Sequence, residues 1–183
     1  MTSNAVTFWF TGLSGAGKTT IATAVKPLLQ SDGYSVLMID GDEIRKRSHR
    51  HLGFTEIDIK QNNALIAELC HFHQDKHDVI LVPIISPYSS SRRMARELLV
   101  KDFQEIYFSA DLETVRARDV KDLYSKAEHG EISNLIGFSP GCVYQAPQSP
   151  DLVINSGVED VDSSVDRLYQ FVVGCLQKRN IDA

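Results

Sequence analysis

Apolar positions along the chain follow two alternating rhythms. Short runs rich in β-branched and aromatic residues predict strands over Val6–Thr11, Ser35–Asp40, Val79–Ile85, Glu105–Ser109 and Leu152–Asn155. Between them, apolar residues recur at helical spacing. One predicted helix starts near Lys18, carries Ile21, Val25, Leu28 and Leu29 on one side and ends before Gly33. Pro27 lies inside it, where its missing N–H predicts a kink or local break. A second helix is predicted over about Asn62–Gln74, with Leu65, Ile66, Leu69 and Phe72 on one face. A third covers Ser90–Leu99, and a last, Val161–Leu176, aligns Val161, Val165, Leu168, Phe171, Val172 and Cys175. These faces are expected to pack into a core. Strands alternating with helices imply an α/β domain built on a parallel sheet.

Residues Val120 to Gln148 break the pattern. They mix charge, Gly, Pro and aromatic residues, and no strand is predicted among them. A long irregular segment inside a compact domain suggests a lid or binding loop, placed here at about 120–148.

Composition narrows the possibilities. A chain of 183 residues, 43% hydrophobic and 23% charged, suits one globular domain over 1–183 and excludes a disordered or fibrous protein. Nineteen Lys plus Arg against 24 Asp plus Glu give a net charge of −5, which argues against sequence-blind binding of nucleic acid. Any bound anion then has to be gripped by a local site. Cys70, Cys142 and Cys175 are odd in number and lack CxxC spacing, so neither a disulfide framework nor a zinc site is predicted. Met1–Ala5 does not read as the start of a secretion signal, and the longest apolar run, Val79–Ile85, is too short to span a bilayer. The expectation is a reduced, soluble, cytoplasmic protein with no membrane partner. His49, His51, His71, His73, His77 and His129 read as solvated or capping residues. His73 and His77 are four apart but lack a third metal ligand.

The strongest chemical signal is Gly12-Leu13-Ser14-Gly15-Ala16-Gly17-Lys18-Thr19, followed by Thr20. It fits G-x-x-x-x-G-K-[ST], directly after a predicted strand and directly before a predicted helix. Glycines let successive N–H groups turn inward toward phosphate oxygens, and the helix N-terminus adds a positive dipole. Lys18 is expected to reach the β- and γ-phosphates of ATP, with the Thr19 hydroxyl on Mg²⁺. No guanine-reading N-K-x-D follows, which argues against a regulatory GTPase. The strand Val79–Ile85 runs into Ser86-Pro87 rather than acidic residues, unlike a motor or transporter ATPase. A small chain with a P-loop and a lid instead suggests a small-molecule kinase, in which the lid keeps water from the phosphoryl group.

The second strand runs into Asp40-Gly41-Asp42-Glu43-Ile44-Arg45. Ligands bind beyond the carboxyl ends of parallel strands, so this cluster belongs beside the P-loop. Asp42 can accept a proton from an attacking hydroxyl or steer Mg²⁺, and Arg45 can hold an anion with its guanidinium fork. A turn with a helix N-cap explains the same residues without chemistry. After the third strand, Ser86 can bond substrate, become phosphorylated, or cap a helix.

Taken together, these motifs resemble the adenylyl-sulfate kinases, which use ATP to phosphorylate the ribose 3′-hydroxyl of adenosine 5′-phosphosulfate (APS). The resemblance runs over almost the whole chain: Gly12–Thr19, Ile39–Arg45, Leu52–Phe54, Asn62, Ile85–Tyr88 with Arg92 and Arg96, and in the lid Arg118-Asp119, Lys121, Leu123-Tyr124, Lys126-Ala127, Gly130–Ile132 and Tyr144–Pro147. It implies a nucleoside-kinase-like P-loop fold, three α/β/α layers around a mainly parallel five-stranded sheet. It makes Asp42 the base near the 3′-hydroxyl and Mg²⁺, and puts Asp40, Arg45, Asn62, Ile85 and Ser86 on the acceptor, with Phe54 stacked on its adenine. Ser86 is also implied as a site of phosphorylation. Lys121 and Lys126 belong to the closing lid, and Arg118 lies near the ATP base. Family members are commonly homodimers of sulfate activation.

Two positions depart from the family pattern. Ile59 stands where the family has a second acceptor-binding arginine, and Leu135 where it has a phenylalanine on the far face of the adenine. The stretch Phe138–Val143 is also a little longer. These changes leave a second reading open, a kinase of the same architecture acting on another nucleotide, such as cytidine diphosphoramidate in polysaccharide modification. A non-catalytic nucleotide-binding protein is a third reading, disfavoured because Lys18 and Asp42 are both present.

Overall fold

The structure, a computed structural model, describes residues 5–47, 52–100 and 103–182. His49, His51 and the first four residues of the predicted non-signal start lie outside the described residues. Five strands form one sheet: β1 (Val6–Thr11), β2 (Val36–Met38), β3 (Val79–Val82), β4 (Phe103–Phe108) and β5 (Leu152–Ile154), in the order β2-β3-β1-β4-β5. All pairings are parallel, with Val6 opposite Val79, Thr7 opposite Phe103 and Ile106 opposite Leu152. Every residue of the central strand β1 is buried, which is why it reads as a continuous apolar run.

Alternation along β1 divides the core. Phe8 and Phe10 point to a layer holding α1 (Lys18–Ser31) and α7 (Val161–Asp182), with Ile21, Val25, Leu29, Leu168 and Val172. Trp9 points the other way, to α3 (Glu56–His73) and α4 (Ser89–Leu99), where it meets Ile66, Cys70, Ala95 and Leu99. Each such side chain contributes about 1.5–3 kcal/mol on full burial. The result is the three-layer α/β/α P-loop architecture expected from the sequence.

The boundaries differ in informative ways. β2 stops at Met38 because Asp40 turns out of the strand to bind the first N–H groups of α2 (Gly41–Arg47), a helix not predicted. β3 stops at Val82, before Pro83, whose ring removes a ladder donor. β4 starts earlier than predicted, at Phe103. Helix α1 continues through Pro27 without a break. Helix α3 begins at Glu56 rather than Asn62 because Thr55 and Asp58 form a reciprocal capping box. Three apolar residues assigned to core faces are exposed: Leu28, Val161 and Phe72, the last 66% exposed with the Lys76 ammonium 4.0 Å over its ring.

The irregular segment contains no strand among its described residues. It holds the short helix α6 (Leu123–Glu128) and follows α5 (Leu112–Arg118), whose N-terminus Asp111 caps by accepting from the Thr114 N–H at 2.7 Å.

Candidate active site

The carboxyl ends of β1, β2 and β3 open into one cleft of about 680 Å³. Its floor is the loop between β1 and α1. Gly12 starts that loop with φ 152°, and a Cβ there would sit 2.6 Å from the Phe108 carbonyl oxygen, so only glycine fits. Ser14, Gly15, Gly17, Lys18, Thr19 and Thr20 line the cleft, while Ala16 is buried behind it. Lys18 is 7% exposed and donates to the carbonyls of Gly12 at 2.8 Å and Leu13 at 2.7 Å. Burial, with the nearby Lys121 charge, lowers its pKa to about 7 against the opposing pull of Asp42 and Asp40.

Asp40 joins this loop to α2. Its Oδ2 accepts from the Thr19 hydroxyl at 3.0 Å, and its Oδ1 accepts from the N–H groups of Asp42 and Glu43 at 2.9 and 3.2 Å. Asp42 is thereby placed in the first turn of α2, where its carboxylate accepts a hydrogen bond from the Lys121 ammonium. Thr19, Asp40 and Asp42 offer only hard oxygen donors. That set suits Mg²⁺, which takes one or two carboxylates and fills its other positions with phosphate and water.

On the far side, Arg45, Phe54 and Asn62 line the same cleft. Arg45 does not reach toward the P-loop. Its guanidinium donates to the carbonyls of Leu52 and Gly53 at 3.1 and 2.7 Å and lies 4.6 Å over the Phe54 ring, leaving that ring half-exposed. Burial pulls the Arg45 pKa down, opposed by Asp42 and Asp58. Ile59 is buried against Tyr88 and Ile136, so the position is absorbed into an apolar cluster between α3 and the 120–148 segment. Leu135 is likewise buried while lining the cleft.

Ser86 sits at the cleft wall next to Ile85, but the residue is only 1% exposed and its hydroxyl is turned inward. It accepts from Trp9 Nε1 at 3.0 Å and donates to Asn63 Oδ1 at 2.6 Å. Trp9 and Asn63 carry no chemical motif in the sequence, falling only within a predicted strand and a predicted helix. The Thr11 hydroxyl donates to the carbonyls of Ile85 and Ser86 and shares a 2.9 Å hydrogen bond with the Tyr144 hydroxyl. Burial pushes the Tyr144 phenol above its ordinary range.

The irregular segment 120–148, the predicted lid, contributes lining residues to the cleft. Tyr124, on α6, donates to the Ser14 carbonyl at 2.9 Å, and burial, with Asp119 adding, pushes its pKa up to about 12. Gly137 lies so close to Leu13 that a Cβ there would approach its Cδ2 to 2.4 Å. Lys121 and Leu135 line the cleft, but Lys126 is exposed and is not among the lining residues. Arg118 lies outside the cleft. It borders a separate open depression of about 400 Å³ with Asp111, Glu113 and Thr114, and donates to the Ser156 carbonyl at 2.5 Å. Arg96 is engaged elsewhere, paired with Asp151 at 2.5 Å. His77 Nδ1 shares a hydrogen bond with the Ser35 hydroxyl at 2.9 Å. No helix among the described residues is long and apolar enough to cross a membrane.

Comparison with known proteins points in one direction. The profile of the adenylylsulphate kinase family matches residues 4–155. An adenylyl-sulfate kinase of Halothermothrix orenii is 43% identical over 171 residues, covering 91% of this chain and 89% of its own. A probable adenylyl-sulfate kinase of Bacillus subtilis is 40% identical, covering 90% and 83%. Among solved structures, the Mycobacterium tuberculosis APS kinase CysC in complex with AMPPNP and APS superposes with a TM-score of 0.88 at 32% identity, covering 93% of this chain and 98% of its own.

Proposed function

The chain belongs to the adenylylsulphate kinase family, and from that membership we infer that it transfers the γ-phosphoryl group of ATP to the ribose 3′-hydroxyl of APS, giving 3′-phosphoadenosine 5′-phosphosulfate. It is an ATP-binding phosphotransferase of sulfate activation. The observation that carries the assignment of roles is that one cleft runs from the Lys18 cradle past Asp42 to Phe54 and Asn62. Donor and acceptor nucleotides can therefore meet end to end.

In this reading the loop from Gly12 to Thr20 wraps the ATP phosphates with its N–H groups. Lys18 leaves the carbonyls of Gly12 and Leu13 and places its ammonium on the β- and γ-phosphates. Asp42 orients the 3′-hydroxyl and receives its proton as the hydroxyl oxygen bonds to phosphorus and ADP departs. Thr19, Asp40 and Asp42 would hold Mg²⁺, which supplies charge neutralisation on the phosphates when bound. Phe54 offers its exposed face to the acceptor adenine, with Arg45 supporting the other face, and Asn62 borders the same subsite. Leu135 packs where a base is to be held, and Lys121 draws the lid down over both nucleotides. Arg118 marks the place of the ATP base beside its own depression. Ser86 shapes the wall rather than reacting, since its proton is committed to Asn63.

The family matched acts on adenylyl sulfate, and the cytidine-linked acceptor gains no support from it. A homodimer and a cytoplasmic location follow the same family reading. The three free cysteines, Cys70, Cys142 and Cys175, suit a reducing compartment that holds ATP. The test is product detection after mixing the protein with Mg·ATP and low-micromolar APS, with cytidine and other adenosine nucleotides as parallel acceptors. A 3′-phosphorylated product from APS alone is expected. Turnover only of another acceptor would overturn the assignment.

A further inference from the structure

We propose that Arg92 is a positioning residue for the transfer, fixing the acceptor wall of the cleft and the return end of the lid in one register. The proposal rests on the kinase reading above. Arg92 lies on α4, outside the cleft, and is 3% exposed. Its guanidinium reaches three separate segments. Nε donates to Glu105 Oε1 on β4 at 2.5 Å, one terminal nitrogen to the Ser86 carbonyl at 2.8 Å, and the other to the Gln145 carbonyl at 2.7 Å. Glu105 supplies the counter-charge that makes a buried guanidinium tenable.

What these bonds hold is not at rest on its own. Ser86 has φ 42°, in the left-handed region that a non-glycine residue adopts only when its surroundings impose it. Four hydrogen bonds impose it here, from Trp9 and Thr11, to Asn63, and from Arg92. Gln145 is stitched to the same loop from the other side. Its N–H donates to the Pro87 carbonyl at 2.8 Å, and its Oε1 accepts from both the N–H and the hydroxyl of Ser89 at 2.9 Å. One planar fork thus ties the turn that carries Ile85 and Ser86 to the point where the lid rejoins the fold. A lysine in its place keeps the charge opposite Glu105 but cannot address three acceptors in those directions. The turn would then relax toward an ordinary φ, shifting the acceptor wall while Lys18 and its loop stay in place.

The test compares wild type, Arg92→Lys and Gln145→Ala in melting temperature, ATP-analogue affinity, and kcat and KM for APS and for ATP. In Arg92→Lys, kcat/KM for APS is expected to fall on the order of 10²-fold, as for a displaced reacting group. ATP-analogue affinity is expected to stay at the wild-type value. Gln145→Ala, which removes only the side-chain stitch to Ser89, is expected to shift in the same direction by less. A matching loss of ATP-analogue affinity, or an unchanged kcat/KM for APS in folded Arg92→Lys, would overturn the proposal. If Arg92→Lys does not fold, the split in Gln145→Ala decides, and no split there overturns it. Wild-type protein inactive on APS would overturn the kinase reading and this proposal with it. An active wild type beside an indifferent Arg92→Lys overturns only the role of Arg92.

Discussion

The Lys121 ammonium, at the foot of the lid, donates to the carboxylate of Asp42, a residue 79 positions earlier on the first turn of α2. The proposed base is therefore already paired with the segment proposed to close over it. Both side chains are more than half exposed, so the pair holds the lid lightly and yields to an anionic nucleotide.

Replacing Asp42 separates chemistry from binding. Asp42→Asn keeps the shape of the side chain and removes its capacity to take a proton. Turnover should fall about 10²–10⁴-fold, the usual contribution of a placed base. ATP-analogue affinity should persist. Lys121→Ala should leave the melting temperature nearly unchanged, since an exposed pair is worth ~0–1 kcal/mol. Rapid-quench kinetics beside thermal melts read both, and a full-rate Asp42→Asn enzyme would remove Asp42 from its role.

Lys18 should make ATP binding depend on pH. Burial holds its pKa at about 7 in the free protein. Above that pH the amine is largely neutral, and bound phosphate restores the ammonium. ATP affinity should therefore decline as pH rises above 7, and calorimetry at pH 8 in buffers of differing ionisation heat should show uptake of about one proton. Between 7 and the ordinary lysine range near 10.5, the unfolded chain carries a proton that the folded protein lacks. Ligand-free stability should accordingly rise with pH through that window. Lys18→Ala should abolish transfer and flatten both slopes; proton uptake persisting in that variant would assign it elsewhere.

Ser86→Ala should behave as a structural lesion. It leaves Trp9 Nε1 and Asn63 Oδ1 facing an apolar methyl, at a cost of about 1–3 kcal/mol. For a domain of this size each kcal/mol lowers the melting temperature by about 2–4 °C. Mass spectrometry after incubation with Mg·ATP should find Ser86 unphosphorylated, its hydroxyl being enclosed. A phosphoserine there would mean that the wall opens during the cycle.

Ile59→Arg tests the altered acceptor side. The long stem can lie along Tyr88 with the guanidinium directed into the cleft that Ile59 lines. A charge-assisted contact to the acceptor contributes about 1.5–3 kcal/mol, offset in part by lost packing. A KM for APS about tenfold lower is expected, with a reduced melting temperature. A higher KM would show that the apolar cluster itself shapes the pocket.

The sequence made the sheet legible because β1 and β3 are buried on both faces and read as unbroken apolar runs. It hid α2 because that helix buries no side chain and so shows no apolar stripe. The true start of α3 was written in Thr55 and Asp58, three apart, but carries no hydrophobic signal. Phe72 misled for the opposite reason. It follows the helical period yet faces solvent, with the Lys76 ammonium over its ring and His73 packed edge-on against it. In the site, the P-loop was plain because backbone geometry restricts its residue types. The wall was not: Trp9, Asn63 and Arg92 meet at Ser86 from three elements far apart in the chain, and local spacing holds no trace of that encounter.

The lid rejoins the body at Thr11 through Tyr144 and at Ser14 through Tyr124, on either side of the Gly12-Leu13 peptide. It is an arch with both feet on one stone rather than a flap on a hinge. Only its span can flex, between feet set on either side of the turn proposed to cradle phosphate. Filling the cradle should then quiet the arch from below. Amide protons of the span and of the turn would exchange with solvent on a common timescale, slowing together when nucleotide arrives even where the span never touches it.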